Sequence, residues 1–321
     1  MTIRAALART TRTYIAPTLR HGAADRPALL IRPRSMASNS STSTSTTQSG
    51  NAAPSRTHGG LTVLRVPVLN DNYSWLVHDE QTGATAVVDP AEVDPIVKTL
   101  AAQNWTLTHV LNTHHHWDHT GGNLELKERF NATVVGPKAD RERIPGIDVA
   151  LADGDEYSVG SSRLVCFDTP GHTKGHITLY FPDNRALFPG DTLFSMGCGR
   201  LFEGSPAQMW DSLQKLVVLP KDTLVYCAHE YTLSNAKFAL HVEPGNQALA
   251  RRAEEVRLAR EQGVPTVRID LGTGSATRSF VHSVIQSLSH SVIQSFIRMF
   301  TRPLMCRCRL TSASRWRPIP S

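Results

Sequence analysis

The sequence predicts an α+β fold in which short apolar strands deliver polar, metal-capable residues to one edge. Three observations carry this. Segments such as LTVLRVPV (61–68), YSWLVH (73–78) and ATAVVDP (84–90) are short, apolar and separated by turn residues. Between such segments lie stretches of helical spacing, as at 93–103, where Val93, Ile96, Val97 and Leu100 share a face. Finally, several apolar segments end in Asp or His. THVLN (108–112) runs into a histidine cluster, and SRLVCFDTPGHTKGH, RALFPGD and TLVYCAHE repeat the pattern. Strands packed side by side would bring those ends together.

Taken in chain order, residues 1–36 hold seven Arg and a single acid, Asp25, with hydroxyl residues between them. Arg4, Arg9 and Arg12 beside Ile3, Leu7 and Ala8 make a cationic amphipathic turn pattern, the composition of a mitochondrial transit peptide. Met36 offers a second start, which would give a cytosolic form. Residues 37–60 are Ser/Thr-rich with too little apolar surface to fold, and read as a disordered linker. A catalytic domain is expected over 61–231, with a helix after the histidine cluster starting near Gly121. Helical patterns at 207–219, 233–241 and 246–262 follow, the last stopped by Gly263 and Pro265, so 232–270 reads as the start of a helical domain. Residues 271–321 carry seven Arg, no acid and HSVIQS repeated at a period of eight, and read as an atypical, disordered tail.

Charge is distributed unevenly. Residues 37–270 hold 20 Lys and Arg against 27 Asp and Glu, a net −7 inside a chain of net +6. The acidic middle argues against a nucleic-acid partner. No apolar run reaches the roughly 18–20 residues of a membrane span. The five cysteines (166, 198, 227, 306, 308) show no C-x-x-C pair, which suits a reducing compartment.

The densest chemistry is NTHHHWDHTGGN (112–123). On extended backbone His114 and His116 project to one side and His115 to the other. Asp118 and His119 follow Trp117, where the chain turns, and can face a second position. His172, Asp191 and His229 stand at later strand ends. His114, His116 and His172 would hold one ion, Asp118, His119 and His229 another, and Asp191 with its two oxygens can bridge them. Taken singly, His172 or His229 is more often a hydrogen-bonded core histidine and Asp191 a turn former; the cluster overrides that. Imidazole and carboxylate without thiolate suit Zn, Fe or Mn. His115 and His176 are expected to pack or to orient the ligands.

The signature H-x-H-x-D-H in THHHWDH identifies the metallo-β-lactamase superfamily. NDNYSWLV, TPGHTKGHI, FPGDTLFSMGCGRLFEG and YCAHEYTLSNAKFALHVEPGN closely resemble the glyoxalase II, or hydroxyacylglutathione hydrolase, family from about 61 to 267. The resemblance implies an αββα sandwich followed by a helical domain, here truncated or altered. It also implies hydrolysis of S-D-lactoylglutathione to D-lactate and glutathione, the second step of methylglyoxal detoxification. The family's two-metal site maps onto the same seven residues, with Asp118 and Asp191 as the catalytic carboxylates. Two divalent ions, zinc first, would lower the pKa of a shared water and polarise the thioester carbonyl. Arg200 and Tyr231 match the family's substrate-binding positions, while Phe202 stands where a second tyrosine is usual. The partner implied is a small glutathione thioester, and a monomer is expected. A mono-iron glutathione persulfide dioxygenase of the same fold is a weaker match, and a metal-binding but impaired isoform is the alternative outside enzymology.

The tail departs from the family. After VPTV the chain reads RIDLGTGSATRSFVHS, without the family's further Arg and Lys that grip glutathione, and resembles translated non-coding sequence. Losing two charge-assisted contacts at roughly 1.5–3 kcal/mol each predicts a raised KM with the hydrolytic core intact. Steady-state kinetics would contradict this by giving an ordinary KM for lactoylglutathione.

Overall fold

The computed structural model describes residues 55, 56 and 58–270. Residues 1–36, read above as a transit peptide, most of the segment read as linker, and residues 271–321 with Cys306 and Cys308 lie outside the described residues. One sheet runs β1 (Ser55–Arg56), β2 (Leu61–Val68), β3 (Asn72–Asp79), β4 (Thr85–Val88), β5 (His109–Leu111), β6 (Thr133–Pro137) and β7 (Val149–Leu151) in spatial order. It is antiparallel from β1 to β4 and parallel from β4 to β7. The second contains β8 (Glu156–Val159), β9 (Ser162–Asp168), β10 (Ile177–Phe181), β11 (Ala186–Phe188), β12 (Leu224–Tyr226) and β13 (Arg268–Asp270), ordered β13-β12-β11-β10-β9-β8. Only β11 and β12 pair in parallel there.

Period-two alternation sorts the first sheet's side chains into two cores. Leu61, Val63, Trp75, Val77, Ala86 and Val88 face the second sheet and join Leu164, Cys166, Leu179 and Phe181. Leu64, Val66, Leu76, Val87 and Val110 point the other way, against α1 (Val93–Gln103) and α3 (Asn123–Phe130) through Ile96, Leu100 and Leu126. The remaining helices are α2 (Trp117–Thr120), α4 (Pro206–Val217), α5 (Thr232–Val242) and α6 (Gln247–Glu261). Their starts obey local chemistry. Ser205 caps α4 in a full capping box with Pro206 in the first turn, and Asn246 caps α6.

The helix expectations match within two residues, with one difference. Helical turn begins at Trp117 rather than near Gly121, so Asp118 and His119 sit on a first turn, α2, ahead of α3. Pairing also begins at Ser55, inside the segment read as linker, because an edge strand needs only backbone to add to β2. The short β6, β7, β8 and β13 lack the contrast that would announce them.

The parallel pairs decide where the site lies. β4 and β5 run together, as do β9 and β11, which flank β10 antiparallel to it, and β12, which pairs in parallel with β11, so each sheet ends several strands at the same edge. The sheets are joined there by backbone bonds, Ile177 N to Thr113 O at 2.9 Å and Tyr73 N to Ala228 O at 2.7 Å. At the opposite edge Asp79 joins them. Its buried carboxylate accepts from Ser161 and Ser162 of the β8–β9 turn, both at 2.7 Å, and from Thr82 of its own turn. Burial pushes this carboxyl up, but the donors from Ser162, Ser161 and Thr82 outweigh it and bring it to about 2.

A folded-state pKa below the unfolded value means stability that is present above about pH 4 and lost as pH falls towards 2. Asp79→Ala, which strands the buried Ser162 hydroxyl, should cost about 1–3 kcal/mol and flatten the acid limb of the stability curve. Urea melts between pH 2 and 6 check this; parallel acid limbs for variant and parent would contradict it.

Candidate metal centre

β5 ends at Leu111, and the chain then bends at Thr113 and His114 before an extended His116 leads into the next helical turn. His114 Nε2 lies 3.0 Å from His116 Nδ1, which lies 3.0 Å from His172 Nε2, contributed from beyond β9. Nitrogens sharing a tetrahedral ion at about 2.0–2.1 Å stand roughly 3.3 Å apart, so the triad matches a coordination shell. A second triad gathers around His119 Nε2. His229 Nε2 from beyond β12 is 3.2 Å away, and Asp118 Oδ2 is 3.7 Å from both nitrogens. Within each triad the ligand atoms lie within 4.8 Å of one another.

Asp191 stands between them. Its Oδ2 is 3.3 Å from His172 Nε2 in the first triad. Its Oδ1 is 3.4 Å from His119 Nε2 and 3.3 Å from His229 Nε2 in the second. Oδ1 is buried without a hydrogen-bond partner, a costly arrangement unless a cation completes it. The donor set and that orphaned oxygen fit a pair of divalent ions. Gly190 permits the approach. Its φ of +49° is left-handed, and a Cβ there would meet Thr113 Oγ1 at 2.3 Å and His176 Nε2 at 2.8 Å.

Five groups outside the expected ligand set fix these orientations. Asp89, left unremarked by sequence reasoning although it ends the strand in ATAVVDP, is buried behind both triads. Its Oδ2 lies 3.0 Å from His119 Nδ1 and accepts Thr113 Oγ1 at 2.7 Å, while Thr113 Oγ1 lies 3.0 Å from His114 Nδ1. One carboxylate thus holds protons on the far nitrogens of two imidazoles and turns their Nε2 lone pairs to the site. His172 Nδ1 donates to the Arg200 carbonyl at 2.7 Å. His176 accepts the Asp191 amide at 3.0 Å, and Asn72 Nδ2 donates to Asp118 Oδ2 at 3.1 Å. His115 faces away and pairs with Asp140 at 2.9 Å.

The electrostatics match cation binding. Burial, then His172 and His115, pushes His116 down to about 4, so its lone pair is free at neutral pH. Burial also opposes a proton on His119, but Asp191 and Asp89 lift it to about 9. Two carboxylates there attract positive charge, proton or metal. Burial works against ionising Asp191 too, yet His229, His119 and His172 hold it well below the carboxylate range.

The cleft above the centre encloses about 490 Å³ and is lined by His116, Asp118, Asp191, Arg200, Phe202 and Tyr231 among others. Tyr231 stacks on His229 with centroids 4.6 Å apart, and exposed Phe202 sets its edge near His116 and His172. Cys198 and Cys227 are buried, and burial lifts both thiols to about 12, which disqualifies them as nucleophiles at neutral pH. Asp89→Asn keeps a residue tolerant of the left-handed φ of 50°. It should weaken metal affinity about 10–100-fold, read by competition with a chromogenic chelator. Unaltered affinity would remove Asp89 from this role.

Comparison with known proteins agrees with the geometry. Residues 69–229 match the family described as "Metallo-beta-lactamase superfamily", and residues 230–302 match "Hydroxyacylglutathione hydrolase C-terminus". The second match runs past residue 267, where the motif-by-motif resemblance stops, so similarity persists in the tail that its altered composition hides. The chain is 56% identical over 221 residues to the hydroxyacylglutathione hydrolase of Methylococcus capsulatus, spanning 69% of this chain and 86% of that one. For the Ruegeria pomeroyi protein of the same name the figures are 47% over 243 residues, 75% and 95%. Among solved structures, Rm3 metallo-beta-lactamase superposes with a TM-score of 0.50 at 19% identity, over 78% of this chain and 96% of that one, which speaks to the fold alone. The chain belongs to the hydroxyacylglutathione hydrolases, the glyoxalase II family, of the metallo-beta-lactamase superfamily.

Proposed function

We propose that this chain hydrolyses S-D-lactoylglutathione to D-lactate and glutathione using two divalent cations, zinc first among Zn, Fe and Mn. The observation that carries this is the Asp191 carboxylate, which offers Oδ2 to one triad and Oδ1 to the other. His114, His116 and His172 would hold one ion, Asp118, His119 and His229 the second, and Asp191 would touch both. Bound there, such a pair lowers the pKa of water towards neutrality and polarises the thioester carbonyl.

The chain's own groups do the rest. Asp118, in the cleft, accepts Asn72 Nδ2 on Oδ2, which steadies it as a ligand to the second ion. Arg200, at the exposed edge of the cleft, suits a glutathione carboxylate through its planar fork. Tyr231 presents its hydroxyl to the substrate backbone. Burial first, then Asp71 and Asp191, raises that phenol to about 12, so it remains a donor at neutral pH. Phe202 supplies contact without a hydroxyl. A thiolate leaves readily, so a strong general acid is less necessary. We also propose that the protein acts as a monomer, and that residues 1–36 direct it to the mitochondrial matrix, with a start at Met36 giving a cytosolic form. N-terminal sequencing of both cellular fractions checks the address.

Metal analysis with one lactoylglutathione assay on the purified full chain tests the reading. It expects two ions per chain and hydrolysis without oxygen uptake, with activity lost on chelation and regained with Zn. One iron with oxygen uptake on glutathione persulfide would support the dioxygenase instead, and two ions without turnover the impaired isoform. Asp191→Asn should lower kcat at least about 10²-fold, since it removes charge from both ions. Near-parental kcat in that variant would contradict the bridging role.

A further inference from the structure

His115, the imidazole that faces away from the cleft, leads into an ion network that hydrolysis leaves without a task. Asp140 accepts His115 on Oδ2, and its side chain is only 1% exposed. The same carboxylate accepts Arg143 through Nε at 3.2 Å and through Nη2. Arg143 extends onward to Glu203, with Nη1 2.6 Å from Oε1 and Nη2 3.2 Å from Oε2. Glu203 Oε2 also accepts the Lys174 amide at 2.8 Å. The network thus ties together the histidine segment after β5, the turn after β6, the loop bearing His172, and residues 199–204. Close fit supports it: a Cβ on Gly175 would lie 2.2 Å from the Asp140 carboxylate.

Residues 199–204 form the lip of the cleft, carrying Arg200 and Phe202 on its exposed side. Backbone holds this lip to a single neighbour. Phe202 N and Glu203 N reach the His172 carbonyl at 3.2 and 3.3 Å, and Gly204 N reaches Gly171 O at 3.0 Å. Leu201 packs against the core beneath the lip, and Arg143 adds a polar hold on its outer side from a buried anchor, Asp140. A guanidinium fork gripping two carboxylates in one plane sets direction as well as distance. With Arg143 40% and Glu203 25% exposed, the pair contributes little to global stability.

We propose that the Arg143–Glu203 pair is a positioning brace that holds the Arg200–Phe202 lip over the first triad and thereby sets substrate affinity rather than the chemical step. Its kinetic consequence rests on the hydrolase reading; its structural one does not.

Amide hydrogen exchange on the full chain tests the brace directly, in Arg143→Met and Glu203→Gln. Amides of Phe202, Glu203 and Gly204 should exchange about ten-fold faster in both variants, with the melting temperature close to parental. KM for lactoylglutathione should rise about three- to ten-fold with kcat within about two-fold, and the double variant should be no worse than either single one. Unchanged exchange overturns the brace whatever the kinetics. Loss of metal together with kcat overturns it too, in favour of a role in building the triad. Faster lip exchange in variants of a parent that lacks thioesterase activity would sustain the brace and refute the hydrolase reading.

Discussion

A carboxylate buried among three imidazole nitrogens, with one oxygen lacking any donor, is an arrangement that needs positive charge to be tolerable. Asp191 is that carboxylate. Because it presents one oxygen to each triad, the charge it needs is divided between two places. The remaining ligands divide the same way. His114 and His116 fall to one side, Asp118 and His119 to the other, although all four lie within six consecutive residues. The extended conformation of His116 and the helical turn from Trp117 onward make that split.

The fold serves this constraint by ending parallel strands of two sheets at a common edge. Backbone bonds between Ile177 and Thr113, and between Tyr73 and Ala228, hold the edges in register. Asp79 fastens the far edge. Behind the ligands, Asp89 fixes two imidazoles at once, which is economical because a single buried acceptor sets both tautomers. Glu230 plays a similar part on the other flank. It follows His229 and accepts Tyr73, Thr266 and Arg260, coupling that ligand to the end of α6.

Much of this was legible in the residues. The strand-then-ligand rhythm placed His172, Asp191 and His229 beside the cluster, and the period-two geometry of extended chain turned His115 away. Asp89 obeys the same rhythm, but Asp-Pro reads first as a turn. Asp140, Arg143 and Glu203 could not be read at all, since their pairing depends on loops meeting in space. The early start of helix at Trp117 was hidden by ligand-type residues that carry no helical periodicity. The tail illustrates the converse, because composition suggested a complete break where similarity extends to residue 302.

The division into two ion sites joined by one carboxylate is tested most directly by magnetic resonance of the full chain titrated with Mn(II). Two equivalents should bind, and the spectrum at saturation should be that of an exchange-coupled pair, collapsing to isolated ions in Asp191→Asn. Saturation at one equivalent, with the uncoupled signal of a lone ion, would contradict the account.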